Sequence, residues 1–98
     1  MTTSPWSEDE EEHVRILASE RRGFAWVLHR YGGRTKAQAG AEAVEFYAYE
    51  PADKPYRGLV FHDEAWHWAM GRVFGDSYHR DRPELAAPPG EYKRYMAL

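Results

Sequence analysis

Hydrophobic residues recur at helical spacing through the first third of the chain, at intervals of three, four or seven residues. Ser7 and Glu10 stand at the spacing of a capping box, in which each side chain accepts a hydrogen bond from the other residue's backbone N–H. We therefore predict a helix from Ser7 to Tyr31, with a bend allowed at Gly23. The hydrophobic positions of this stripe are Val14, Leu17, Phe24, Leu28 and Tyr31.

A second helix is predicted from Thr35 to Glu50. Thr35 and Gln38 repeat the capping-box spacing, and Pro51 cannot continue a helix. Its stripe consists mainly of small residues, which allow another helix to approach closely. The stripe residues are Ala37, Ala41, Val44 and Ala48.

A third helix is predicted from Asp63, as N-cap, to Gly75, as terminator. Its apolar stripe has the spacing i, i+3, i+4, i+7 and comprises Trp66, Ala69, Met70 and Val73. The segment that follows is rich in proline up to Pro89, after which one or two helical turns can fold back on the body.

These elements predict a mainly α fold, a small three-helix core closed by an aromatic C-terminal segment. The alternative is an α+β fold, because Phe24, Trp26 and Leu28 also alternate as in a strand, and Phe24–Tyr31 would then pair with Tyr56–Phe61. A chain of 98 residues suits a single globular domain over 1–98. We expect residues 1–6 and the extreme C-terminus to be flexible.

Composition narrows the class of protein. The chain is 43% hydrophobic and 30% charged, in the range of globular proteins, and 15% of its residues are aromatic. It contains no cysteine and no apolar run long enough to span a membrane, so we expect a cytoplasmic protein. A net charge of −3 disfavours non-specific binding to nucleic acid.

Trp68 lies almost opposite the apolar stripe of the third helix, at roughly 100° per residue. Either a second layer of the protein covers it, such as the C-terminal segment, or it belongs to an interface, where tryptophan is enriched. The interface interpretation predicts a binding surface that also includes the C-terminal tyrosines. Its residues are Glu64, His67, Trp68, Arg72, Tyr92 and Tyr95.

Nucleic-acid binding is the alternative function. The first two helices flank a glycine-containing turn, as in a helix-turn-helix, and the second begins with polar and basic side chains. The same turn also suits a purely structural helical hairpin. The residues that would contact DNA are Arg30, Arg34, Lys36 and Gln38.

No motif in the sequence indicates catalysis, a cofactor or a nucleotide site. Glu10-x-x-His13 and Glu64-x-x-His67 have the spacing used by di-metal helix bundles, but the chain is short for four bundle helices, and we predict no metal site. We therefore predict a small intracellular, non-enzymatic protein that acts by protein–protein interaction or self-association through an aromatic surface.

Overall fold

The computed structural model describes residues 5–97, with side chains from residue 10 onward. Residues 5–97 contain no strand, and the predicted mainly α fold is confirmed. The α+β alternative is wrong, because residues 24–30 are α-helical and the segment predicted to pair with them contains a 3₁₀ turn, Leu59–His62. A second 3₁₀ turn spans Pro83–Leu85. The helices are α1 (Pro5–Arg30), α2 (Lys36–Phe46), α3 (Ala65–Phe74), α4 (Tyr78–Asp81) and α5 (Gly90–Met96).

Helix α1 is continuous over 26 residues and passes through Gly23 without interruption. The predicted start at Ser7 is wrong, because the helix already begins at Pro5, and the fixed φ of proline suits a first helical position. Gly23 serves close packing: a Cβ atom there would lie 2.5 Å from Tyr92 Oη and 3.0 Å from Met96 Sδ. The missing side chain therefore lets α5 approach α1.

Helix α2 has the predicted capping box. Gln38 N donates to Thr35 Oγ1 at 3.1 Å, and Thr35 N donates to Gln38 Oε1 at 3.0 Å. The helix ends at Phe46 rather than Glu50. The carbonyl of Tyr47 would need an N–H from Pro51, which has none, and Arg21 of α1 donates two hydrogen bonds to it instead, at 2.9 and 2.7 Å.

Helix α3 begins one residue later than predicted, with Glu64 rather than Asp63 as N-cap. Asp63 accepts from the N–H of its neighbour Glu64, while the first N–H of the helix, on Ala65, donates to Glu20 Oε2 of α1 at 3.1 Å. A carboxylate from a different helix thus replaces the local cap. Gly75 ends the helix as predicted, with a φ of +94°.

The core lies where α1 packs against α2 and α3, and α5 folds back on α1. Three of the four predicted stripe residues of α3 are buried, namely Trp66, Ala69 and Met70. The predicted stripe of α2 is wrong, because Ala39 and Ala43 are buried while Ala37, Ala41 and Val44 are exposed. Trp66 Nε1 donates to the carbonyl of Leu85 at 2.9 Å, which ties the segment after α4 to the core. The largest fully buried side chains are Trp66, Tyr47, Phe24, Leu28, Met70 and Val27.

Candidate binding groove

An open groove of about 570 Å³ runs along α3, between the end of α2 and the segment around α4. We call it the α3 groove. Three of the six predicted binding residues line it, namely His67, Trp68 and Arg72. Glu64, a fourth, contacts His67. The lining of the groove includes Phe46, His67, Trp68, Gly71, Arg72, Asp76, Tyr78 and His79.

Trp68 is half-buried at the rim of the core. Its Nε1 donates to the carbonyl of Val60 at 2.9 Å, and its ring lies 5.8 Å from that of Phe46 and 5.9 Å from that of His62. The turn Leu59–His62 and the end of α2 therefore cover it, rather than the C-terminal segment. The remaining surface of the ring contributes a wall of the α3 groove.

His67 and Tyr78 form the polar centre of the groove. His67 Nδ1 and Tyr78 Oη are hydrogen-bonded, and His67 Nε2 lies 3.8 Å from Glu64 Oε2. Burial, followed by the negative charges of Asp63 and Glu64, raises the pKa of Tyr78. Its phenol therefore keeps its proton at neutral pH and takes part in hydrogen bonding.

Arg72 is held loosely, because its carboxylate partner is shared. Its Nε lies 3.6 Å from Glu42 Oε2, while the other oxygen of Glu42 accepts a hydrogen bond from Arg34 Nε at 3.2 Å. The Arg72 side chain is 42% exposed. Its N–H groups are thus available to a ligand in the groove.

Tyr92 and Tyr95 lie elsewhere, on α5. Tyr92 is buried, with its ring 5.1 Å from Trp66, and burial raises its pKa to about 12. Tyr95 stacks on Trp26 of α1 at 5.9 Å. The structure therefore does not unite Trp68 and the C-terminal tyrosines in one aromatic surface, because α5 packs on the side of α3 that carries Trp66.

Three of the four residues of the helix-turn-helix alternative are engaged within the protein. Arg30 pairs with Glu91 of α5 at 2.9 Å, Arg34 pairs with Glu42, and Gln38 completes the cap of α2. Lys36 is exposed in the first turn of α2. The hairpin thus fits a structural role, since these side chains fasten its own parts together.

The Glu-x-x-His pairs are not gathered into a metal site. Glu10 accepts hydrogen bonds from Arg57 at 2.7 Å and from Tyr49 Oη at 2.5 Å, and these bonds lower its pKa. His13 packs between the rings of Tyr49 and Phe61, with its Nε2 buried and without a hydrogen-bond partner. Among the side chains of residues 10–97, no cluster of three or more His, Cys, Asp or Glu is arranged to hold a metal ion.

Much of the lining of the α3 groove was not predicted from the sequence. Phe46, Tyr78 and His79 were not predicted, although they form its walls together with α3. The only signal was the dense aromatic and histidine content of residues 61–79, which does not specify which side chains meet.

Comparison of this chain with protein-family models, with curated proteins and with solved structures gave no match. None of the helices in residues 5–97 combines the length and the apolar character that crossing a membrane requires. Function is therefore inferred from the geometry of the α3 groove.

Proposed function

We propose that the protein acts by binding another polypeptide chain in the α3 groove and has no catalytic role. The observation that carries the proposal is that Trp68 and Arg72 line one cavity of about 570 Å³. Tryptophan and arginine are the residues most enriched among those that dominate binding energy at protein interfaces. The proposal includes a cytoplasmic setting, which suits a chain without cysteine.

The mixed chemistry of the groove favours a polypeptide ligand. Arg72 and His79 offer donors, Asp63 and Asp76 offer acceptors, and Trp68 supplies an apolar wall. A peptide segment presents both N–H and C=O groups beside its side chains, so it can satisfy donors and acceptors together. Because a standard interface buries about 800 Å² per partner, the groove would hold the anchoring side chains of a larger contact.

Gly71 offers the sharpest test, because it lines the groove from within α3. A Cβ atom there would meet only Asp76 Oδ1, at an ordinary contact distance of 3.7 Å. Gly71→Gln adds a side chain that blocks the groove, while Gly71→Ala adds the same helix propensity without filling it. Trp68→Ala is a poorer probe, because it also removes the hydrogen bond to Val60 and the contact with Phe46.

The first measurement is the solution mass by light scattering, over a range of protein and salt concentrations. If the partner is a second copy, the wild type and Gly71→Ala should dimerise at high and low salt, and Gly71→Gln should remain monomeric. If the wild type is a monomer, affinity capture should retain a protein on wild type and Gly71→Ala that Gly71→Gln fails to retain.

Two results would overturn the proposal. One is association or capture that Gly71→Gln leaves unchanged. The other is binding to DNA that weakens steeply with salt and depends on Lys36, which would restore the nucleic-acid alternative.

A further inference from the structure

A second concavity lies between α1, the start of α2 and α5. It encloses about 400 Å³ and is lined by Ala25, Trp26, His29, Lys36, Ala39 and Tyr95. We call it the α1–α5 cleft. We propose that this cleft binds a small monocarboxylate with a flat apolar or aromatic body, a role independent of the α3 groove.

The apolar part of the cleft is pre-formed. Trp26 and Tyr95 stack at 5.9 Å with 29° between their planes, and Trp26 is also held edge-on by Tyr92 at 5.5 Å. Ala25 and Ala39 also line the cleft, and their single methyl groups leave it unfilled. Small-molecule sites have this character, with volumes of about 300–1,000 Å³, mostly apolar walls and a few polar groups.

The charge of the cleft favours an anion. Lys36 is the first residue of α2, where the positive end of the helix dipole adds to its ammonium charge. His29 Nδ1 lies 2.9 Å from the carbonyl of Arg34, and since a carbonyl only accepts, Nδ1 carries the hydrogen and Nε2 of the neutral ring can accept a hydrogen bond. Among residues 10–97, no carboxylate lines this cleft.

The apolar walls and the positive charge of Lys36 together specify the ligand class. The paired rings and the alanines suit a planar apolar body, and Lys36 suits one carboxylate at its end. An amine should bind more weakly than the acid, because the charged side chain of the cleft, Lys36, is itself a cation. A neutral amide keeps the shape of the acid but loses the charge, so it isolates the contribution of Lys36.

The test uses 3-phenylpropionate, its neutral amide and the corresponding amine as probes. Titrations followed by calorimetry and by NMR of the Trp26 indole should show the acid binding about fivefold more tightly than the amide, the effect of one surface ion pair. Lys36→Met should abolish that preference. Lys54→Met makes the same charge change at a residue outside the cleft, and should preserve it.

Ala25→Leu fills the cleft and should abolish binding of both acid and amide, with circular dichroism confirming that the variant is folded. Gly71→Gln should bind the acid as the wild type does, because it alters only the α3 groove. Equal affinity for acid and amide, or acid binding that survives Lys36→Met and Ala25→Leu, would overturn the proposal. So would the absence of any shift of the Trp26 indole at millimolar acid.

Discussion

Replacing Gly23 with alanine tests whether α5 is docked against α1. Gly23 lies inside the long first helix, where glycine is unfavourable by about 1 kcal/mol relative to alanine. If nothing packed over this position, Gly23→Ala would therefore stabilise the protein. A Cβ atom at Gly23 would instead lie 2.5 Å from Tyr92 Oη and 3.0 Å from Met96 Sδ.

The size of the effect depends on whether these neighbours can move. Met96 is flexible, but the Tyr92 ring is buried and packed edge-on against Trp26 at 5.5 Å and Trp66 at 5.1 Å. Overpacking of this kind costs about 1–3 kcal/mol. After subtraction of the helix-propensity gain, we expect the free energy of unfolding to fall by about 0–2 kcal/mol.

Gly40→Ala is the matched control, because Gly40 lies inside α2 and a Cβ atom there would meet nothing within 4 Å. This variant should gain about 1 kcal/mol. Urea denaturation of the two variants should therefore separate them by about 1–3 kcal/mol, which in a domain of this size corresponds to several degrees in melting temperature. Equal stabilisation by both substitutions would refute the docking of α5 at Gly23.

Three further substitutions test the core and its ionisable groups. Met70→Ala should lower the free energy of unfolding by about 2–5 kcal/mol in urea denaturation, because Met70 is fully buried; a change within error would mean that α3 is rotated. Burial raises the pKa of Glu20, so the unfolded state loses its proton at a lower pH, near 4.5, than the folded state does. The stability that this group contributes therefore falls as pH rises from 4.5 through the folded-state pKa. Glu20→Gln should remove that fall. If the wild type and the variant show identical profiles of the free energy of unfolding against pH, the raised pKa of Glu20 is contradicted. Burial lowers the pKa of His13, so as pH drops through 6.5 the unfolded state takes up a proton before the folded state does. The stability that His13 contributes therefore falls as pH drops below 6.5. His13→Phe should remove this loss and add about 1 kcal/mol to the free energy of unfolding at neutral pH, since the buried Nε2 of His13 has no hydrogen-bond partner. Thermal melts from pH 5 to 8 check both effects, and a destabilised variant would contradict the reasoning.

The features predicted correctly from the sequence depend on short segments. The capping box of Thr35 and Gln38 needs only four consecutive residues, and the burial of Trp66 and Met70 follows from helical periodicity. Such interactions are specified by neighbours along the chain. The mainly α class followed from them without knowledge of how the helices pack.

Several errors occur where residues far apart in sequence replace a local signal. Arg21 binds the carbonyl of Tyr47, 26 residues away, and α2 ends there. Glu20 accepts the first N–H of α3, on Ala65, 45 residues away, so Asp63 was not needed as the cap. A bend was allowed at Gly23 because nothing local indicated that α5 would cover it. The α3 groove could not be predicted for the same reason, since it depends on contacts between helices, such as the hydrogen bond between His67 of α3 and Tyr78 of α4.

The two tryptophans of α3 show how one short helix packs on two sides. Trp66 and Trp68 are two residues apart, and so point about 200° apart around the helix axis. Trp66 contacts Tyr92 of α5, and Trp68 contacts Phe46 at the end of α2. Helix α3 is therefore covered on both sides, by α5 on one and by α2 with the turn Leu59–His62 on the other. Because the α1–α5 cleft and the α3 groove share no lining residue, a substitution that blocks one should leave binding at the other intact.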